Sequence, residues 1–163
     1  MLKKLLAALT IAILTTTNAL AGTPSGRVVV RGVNSYSNCT AADLRKITAG
    51  TKLQGYEQTI LDVEKRYQIN AFFICAVANQ ETQMGLTGVG ADRNNLFGMR
   101  GSDGFFHYSN AGESVESFGR CIYNLYWANG RKTLPKIAEW YCDPSWAYYV
   151  ENSINYLYYK MVS

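Results

Sequence analysis

Residues 69–85 read INAFFICAVANQETQMG. Asn70 is a residue type that caps helices, with a side-chain oxygen able to accept from the first-turn amides. From Phe72 to Ala78 every residue is apolar. A helix apolar on all faces has no side to give to water and belongs in the middle of a domain. Ile74, Val77, Ala78 and Glu81 stand at i, i+3, i+4 and i+7, the spacing of a single helix face. The pattern predicts a helix from Ala71 to Thr82, with Glu81 on an inward stripe at its last turn, just before Gly85.

Outward from this segment the chain reads as further helices. Toward the N-terminus, Ile60, Val63 and Tyr67 alternate with Asp62, Glu64, Lys65 and Arg66, which makes residues 56–67 an amphipathic helix. Thr40-Ala41-Ala42-Asp43 is a near capping box that opens a short helix over about 41–48. Toward the C-terminus, residues 85–108 are rich in glycine and without helical period. They predict loop, with a small hairpin around Phe105-Phe106-His107-Tyr108. Helical period returns over about 111–127, where Val115, Phe118, Ile122 and Leu125 form one face. Thr133 caps a helix running to about Tyr141, Asp143-Pro144-Ser145 interrupts, and a last helix covers about 146–161.

The start of the 163-residue chain reads as an address. Lys3 and Lys4 precede an apolar run from Leu5 to Leu14, and Ala19-Leu20-Ala21 supplies a cleavage pattern. Residues 1–21 are therefore expected to be a signal peptide. The run falls short of the roughly 20 residues of a bilayer span, so no membrane association is expected after cleavage. Residues 22–38 read as a loose N-terminal arm with one strand at Val28-Val29-Val30, and residues 39–163 as one catalytic domain. Without the signal the formal charge falls from +4 to +2. That excludes the basic stripe of a nucleic-acid binder. Export and an even count of cysteines (Cys39, Cys75, Cys121, Cys142) favour disulfides, with three pairings open. With His107 the one histidine and no CxxC spacing, no metal site and no cofactor is expected.

Glu81 is the chemical centre of this reading. Loss of water raises the pKa of a carboxyl, and a carboxyl still protonated near neutral pH can donate to the leaving oxygen of a glycosidic bond. The competing reading is a buried glutamate satisfied by a neighbouring helix. Cys75 with His107 could be taken for a nucleophile and base, but Cys75 sits in the apolar centre of its helix, where a thiol is inert.

The segment INAFFICAVANQETQMG resembles the catalytic-helix motif of the glucosaminidase family of peptidoglycan hydrolases, an N-aliphatic-A-x-x-x-E-T-x-x-G pattern. Asn94-Asn95-Leu96-Phe97-Gly98-Met99 resembles the block that follows in that family, as do Phe106 to Val115 and Thr133 to Trp146 later in the chain. The resemblance implies a mainly α, lysozyme-like (α+β) fold, helical with a small β-hairpin or loop lobe beside the cleft. It also implies a secreted enzyme of the periplasm or cell wall, working as a monomer on the glycan strands of peptidoglycan. The reaction would be hydrolysis of the β-1,4 bond after N-acetylglucosamine, with Glu81 as general acid.

Two carboxyls usually flank such a bond, about 5–5.5 Å apart for retention and about 6.5–9.5 Å for inversion. Glu113 reads instead as a first-turn acid and Asp103 as a turn residue. The missing partner points to a substrate-assisted route through the sugar's acetamido group, steadied by Tyr141. Asn95, Phe97 and Trp146 are the candidate substrate-binding residues. Phe97 is read either as a saccharide platform or as a plug fixing its loop. All three tryptophans and eight of the twelve tyrosines lie from Tyr123 onward, and most should be core, because Tyr148, Tyr149, Tyr156, Tyr158 and Tyr159 cannot all face one way on a helix. A lytic transglycosylase, a catalytically dead wall-binding module, and chitin or glycoprotein glycans as substrate are the alternatives.

Overall fold

A computed structural model describes residues 33–163. The signal peptide and the strand at Val28-Val29-Val30 lie outside the described residues. The order of elements is α1 (Ala41–Thr48), α2 (Glu57–Tyr67), α3 (Ala71–Thr82), α4 (Gly88–Ala91), β1 (Arg100–Gly101), β2 (Gly104–Phe105), α5 (Ala111–Leu125), a 3-10 turn (Trp127–Asn129), α6 (Leu134–Tyr141) and α7 (Pro144–Val162). The strands form an antiparallel pair, with Arg100 opposite Phe105 and Gly101 opposite Gly104. The chain is mainly helical with a small hairpin lobe, and the arrangement is lysozyme-like.

Helix α3 is the hub. Every residue from Ala71 to Ala78 is buried, and α2 and α7 both pack on it. Asn70 caps it as expected, with Oδ1 accepting from Phe72 N and Phe73 N at 2.9 and 3.3 Å. The capping box on α1 also forms: Thr40 Oγ1 accepts from Asp43 N, and the Asp43 carboxylate accepts from Thr40 N. The last described residues of the N-terminal arm are not loose. Asn70 N donates to Val33 O at 2.8 Å. Ser37 donates from N and Oγ to the Glu64 carboxylate, which also takes Ala71 N. A buried carboxylate thus ties the arm to α2 and to the start of α3, which an alternation pattern does not disclose.

Other elements depart from the sequence reading. The hairpin pairs 100–101 with 104–105, earlier than expected, because Gly104 at φ +111° makes the turn. The short α4 appears inside the glycine-rich segment, where Gly90 lies so close to Asn95 O that a Cβ would collide with it. Helix α7 starts at Pro144, not at 146. Proline at the first helical position loses nothing, and Asp143 accepts from Ser145 N at 2.7 Å. Leu125 leaves the expected buried face of α5 and is exposed. The disulfide expectation is corrected as well: all four cysteines are free thiols. Cys75 is enclosed by the α3 core, while Cys39 Sγ lies 3.8 Å from Met161 Sδ and Cys142 Sγ lies 3.5 Å from an Asp143 oxygen.

The contact of α2 with α5 depends on Gly119. A Cβ there would stand 2.5 Å from Val63 Cγ1 and 2.9 Å from Tyr67 Cδ2. Alanine has the better helix propensity, by about 1 kcal/mol, but overpacking against a β-branched side chain in a tight seam costs about 1–3 kcal/mol. Gly119→Ala should therefore lower stability, read as a lower urea midpoint at unchanged slope. A midpoint at or above wild type would show that the seam yields.

Candidate active site

The end of α3 carries the site. Gln83, Met84 and Gly85 all take positive φ (50°, 56° and 89°), so the chain reverses immediately after Thr82. Thr82 secures the reversal: its hydroxyl lies 3.0 Å from Leu96 O and accepts from Gly85 N at 2.9 Å. Leu96 N in turn donates to Ser114 Oγ at 3.1 Å. The loop after α3 is thereby stitched to both α3 and α5, and Glu81 is held beside it. Neither Thr82 nor Ser114 stands out in the sequence. A threonine one residue past the acid and a serine in a first turn are too common as local caps to reveal a long-range latch.

Glu81 is partly buried against an aromatic wall. Trp146 Nε1 donates to Glu81 Oε1 at 3.4 Å. The indole packs on Tyr141 in a tilted pair, with centroids 4.5 Å apart and planes at 32°, and meets Phe73 edge-on at 6.3 Å. Burial pushes the Glu81 carboxyl up from its ordinary 4.5 to about 7, and the Trp146 hydrogen bond draws it back in part. Neither cause is a second charge, so the shift is a desolvation effect. Tyr141 is also held protonated, first by burial and then by the negative charge of Glu81. Its hydroxyl donates to Phe97 O at 3.3 Å.

The expected site residues therefore separate. Glu81, Tyr141 and Trp146 come together. Trp146 is buried under the acid rather than offered to solvent as a sugar platform; its ring is needed to close the core above Phe73. Asn95 is wholly buried, and its amide is spent on the loop, donating to Met99 O and Phe106 O and accepting from Met99 N. Phe97 is the plug of its two readings, stacked on Phe118 at 4.1 Å with planes 4° apart. Neither side chain is open to a ligand in this arrangement. Glu113 takes Ser109 N at 2.9 Å, a helix-entry role, and Asp103 is an exposed residue of the hairpin turn. Burial raises the Cys75 thiol far above its ordinary value while His107 is exposed, so the pair has no nucleophile to offer. Among the described residues no group of three or more potential metal ligands occurs.

Solved structures of Staphylococcus aureus autolysin E share this overall fold. The fold is similar to that of autolysin E. A catalytic mutant of autolysin E in complex with the disaccharide NAG-NAM matches at a TM-score of 0.59 and 10% identity, over 86% of this chain and 76% of that one. Autolysin E in complex with the muropeptide NAM-L-Ala-D-iGlu gives 0.58 at 10% identity, over 80% and 72%. A further autolysin E structure gives 0.57 at 10% identity, over 80% and 71%. No protein-family profile and no curated protein matches by sequence. The autolysin-like likeness is thus one of fold, carried at an identity where side chains have largely diverged.

Two measurements test the electrostatics. Trp146→Phe keeps a flat ring but removes the donor that favours the carboxylate, so the Glu81 pKa should rise above about 7; a carboxyl titration by NMR in which it falls would refute this. Folding also raises this carboxyl, so its stabilising proton is fully held below about 4.5 and lost as pH rises through about 7. Glu81→Gln removes that loss, and its melting temperature should overtake wild type as pH rises from 5 to 9, by up to about 3 kcal/mol of stability.

Proposed function

We propose that the chain is a secreted glycoside hydrolase of the cell wall, an endo-β-N-acetylglucosaminidase acting on peptidoglycan strands as a monomer without a cofactor. The observation that carries the reading is Glu81, a desolvated carboxyl with a pKa near 7 set against an aromatic wall at the end of the central helix. Two things support it: the likeness of its helix to the glucosaminidase motif, and the likeness of the fold to autolysin E, which was solved with NAG-NAM and with a muropeptide.

In this mechanism protonated Glu81 gives its proton to the glycosidic oxygen as the C1–O bond breaks. The acetamido oxygen of the N-acetylglucosamine attacks C1 and closes an oxazolinium ring. Glu81, now ionised, takes a proton from water as that water opens the ring, which restores the acid and leaves a reducing sugar. The route suits a carboxyl whose shift owes nothing to a neighbouring acid. Tyr141, packed on the indole that touches Glu81, is assigned to steadying the acetamido group. To do so its hydroxyl must turn from Phe97 O to the substrate.

A lytic transglycosylase is the second reading, because a lone acid serves it equally well. Muropeptide mass spectrometry separates the two: reducing N-acetylglucosamine ends are expected, and anhydro-muramic ends would replace the hydrolase by the transglycosylase. Glu81→Gln should abolish clearing of a peptidoglycan zymogram while sacculus binding persists; equal clearing by both proteins removes Glu81 from the reaction. Since the acid works only when protonated, activity should fall as pH rises above about 7. Tyr141→Phe should lower kcat by about 10²-fold, more than it changes KM.

A further inference from the structure

Helix α7 does two things at once. Its inward face, from Trp146 through Val150, Ile154 and Leu157, is core. Its outward face is aromatic. Tyr148, Tyr149 and Tyr156 are 59%, 49% and 57% exposed, and the rings of Tyr148 and Tyr149 meet edge to face with centroids 5.6 Å apart. Of the five tyrosines, Tyr158 turns inward to Phe72, with centroids 6.0 Å apart.

The spacing on the outer face is ordered. Tyr149, Asn152 and Tyr156 stand at i, i+3 and i+7, so they share one stripe. Seven residues of helix put the two rings about 10.5 Å apart along the axis and nearly in line. That is close to the length of two pyranose rings joined 1,4 end to end. Between them lies an exposed amide with both a donor and an acceptor. Ser145, Tyr148, Tyr149, Asn152 and Tyr156 carry no charge, and the one basic residue of α7, Lys160 at i+4 from Tyr156, is tied by its Nζ to Ile47 O at 3.2 Å. A surface for nucleic acid or an anionic membrane would need basic residues here. Flat rings with hydroxyl tips and one amide suit a neutral polymer of hydroxyls and acetamido groups. Tyr149 lies one turn along α7 from Trp146, whose indole touches Glu81.

We infer that the Tyr149–Asn152–Tyr156 stripe of α7 is a glycan-holding surface that binds a β-1,4-linked N-acetylhexosamine strand outside the cleft, one ring per disaccharide repeat. The inference rests on the glycan substrate proposed above. Its consequence is retention on the polymer between cuts. The rings add affinity for long strands without touching the reacting bond, so short soluble oligosaccharides do not need them.

The test uses the mature chain carrying Glu81→Gln, co-sedimented with purified sacculi, with and without Tyr149→Ala and Tyr156→Ala. Loss of two stacking rings should weaken sedimentation at least about fivefold. Tyr149→Phe with Tyr156→Phe should retain most of the binding. With Glu81 intact, the paired alanine change should slow digestion of sacculi and spare turnover of a soluble tetrasaccharide. Tyr149→Ser with Tyr156→Ser, checked by circular dichroism, repeats the test should the alanine protein fail to fold. Undiminished sedimentation of the folded variant overturns the inference. So does a dimer in gel filtration that the alanine pair dissolves, or equal loss on the tetrasaccharide. Failure of the wild-type enzyme to cut any glycan would instead strike the catalytic reading, so the two failures are told apart.

Discussion

Desolvation of the C-terminal end of α3 is the constraint on which the rest depends. An apolar helix can be sheathed on every side, and this one is: α2 and α7 pack on it, and Phe73 reaches both Phe118 and Trp146. Sheathing strips water from whatever stands at its end. Glu81 stands there, and burial alone moves its carboxyl into the range where it exchanges a proton near neutrality. The central helix that stabilises the domain thus also sets the acidity of the carboxyl at its end, at a cost. A buried carboxyl opposes folding once it ionises, and the hydrogen bond from Trp146 relieves that only in part.

The surrounding elements are arranged to keep that end dry and still. The chain turns back at once after α3, which leaves Glu81 on the last turn of the helix. Three consecutive residues in the left-handed region make the reversal, two of them not glycine. Such residues persist only where their surroundings hold them. Thr82, Leu96 and Ser114 supply the hold, and Phe97 stacked on Phe118 seals it. The Asn95-Leu96-Phe97 block is therefore a lock behind the acid rather than a surface in front of it.

Much of this was legible in the residues. The all-round apolar pattern placed α3 and its acid; Asn70 and Thr40 placed caps that the structure forms. What escaped were features that depend on two distant segments meeting. Glu64 looks like a solvent-facing charge between Val63 and Lys65, yet it bridges the arm and α3. Asn95 and Phe97 read equally well as contacts or as scaffolding, since their residue types do not say which way a loop turns. Trp146 reads from its motif as a substrate contact, and the structure buries its indole against Glu81. Pro144 was read as a break, although proline opens a helix as readily as it ends one.

The isolation of Glu81 is the last consequence. A second carboxylate close by would share its field and split the two pKa values, and no such influence acts here: the shift has burial as its driving cause and one indole as its counterweight. Tyr141 cannot stand in as a base, because burial and the charge of Glu81 both keep its hydroxyl protonated. It can only donate. A site built from one acid and one donor leaves the nucleophile to come from elsewhere. On the substrate-assisted route proposed above, the acetamido group carried by the sugar itself brings both the nucleophilic oxygen and a developing charge for a phenol to stabilise. On the proposed route activity is tied to N-acetylated sugars, for a substrate without that group would meet an acid and find nothing to complete the displacement.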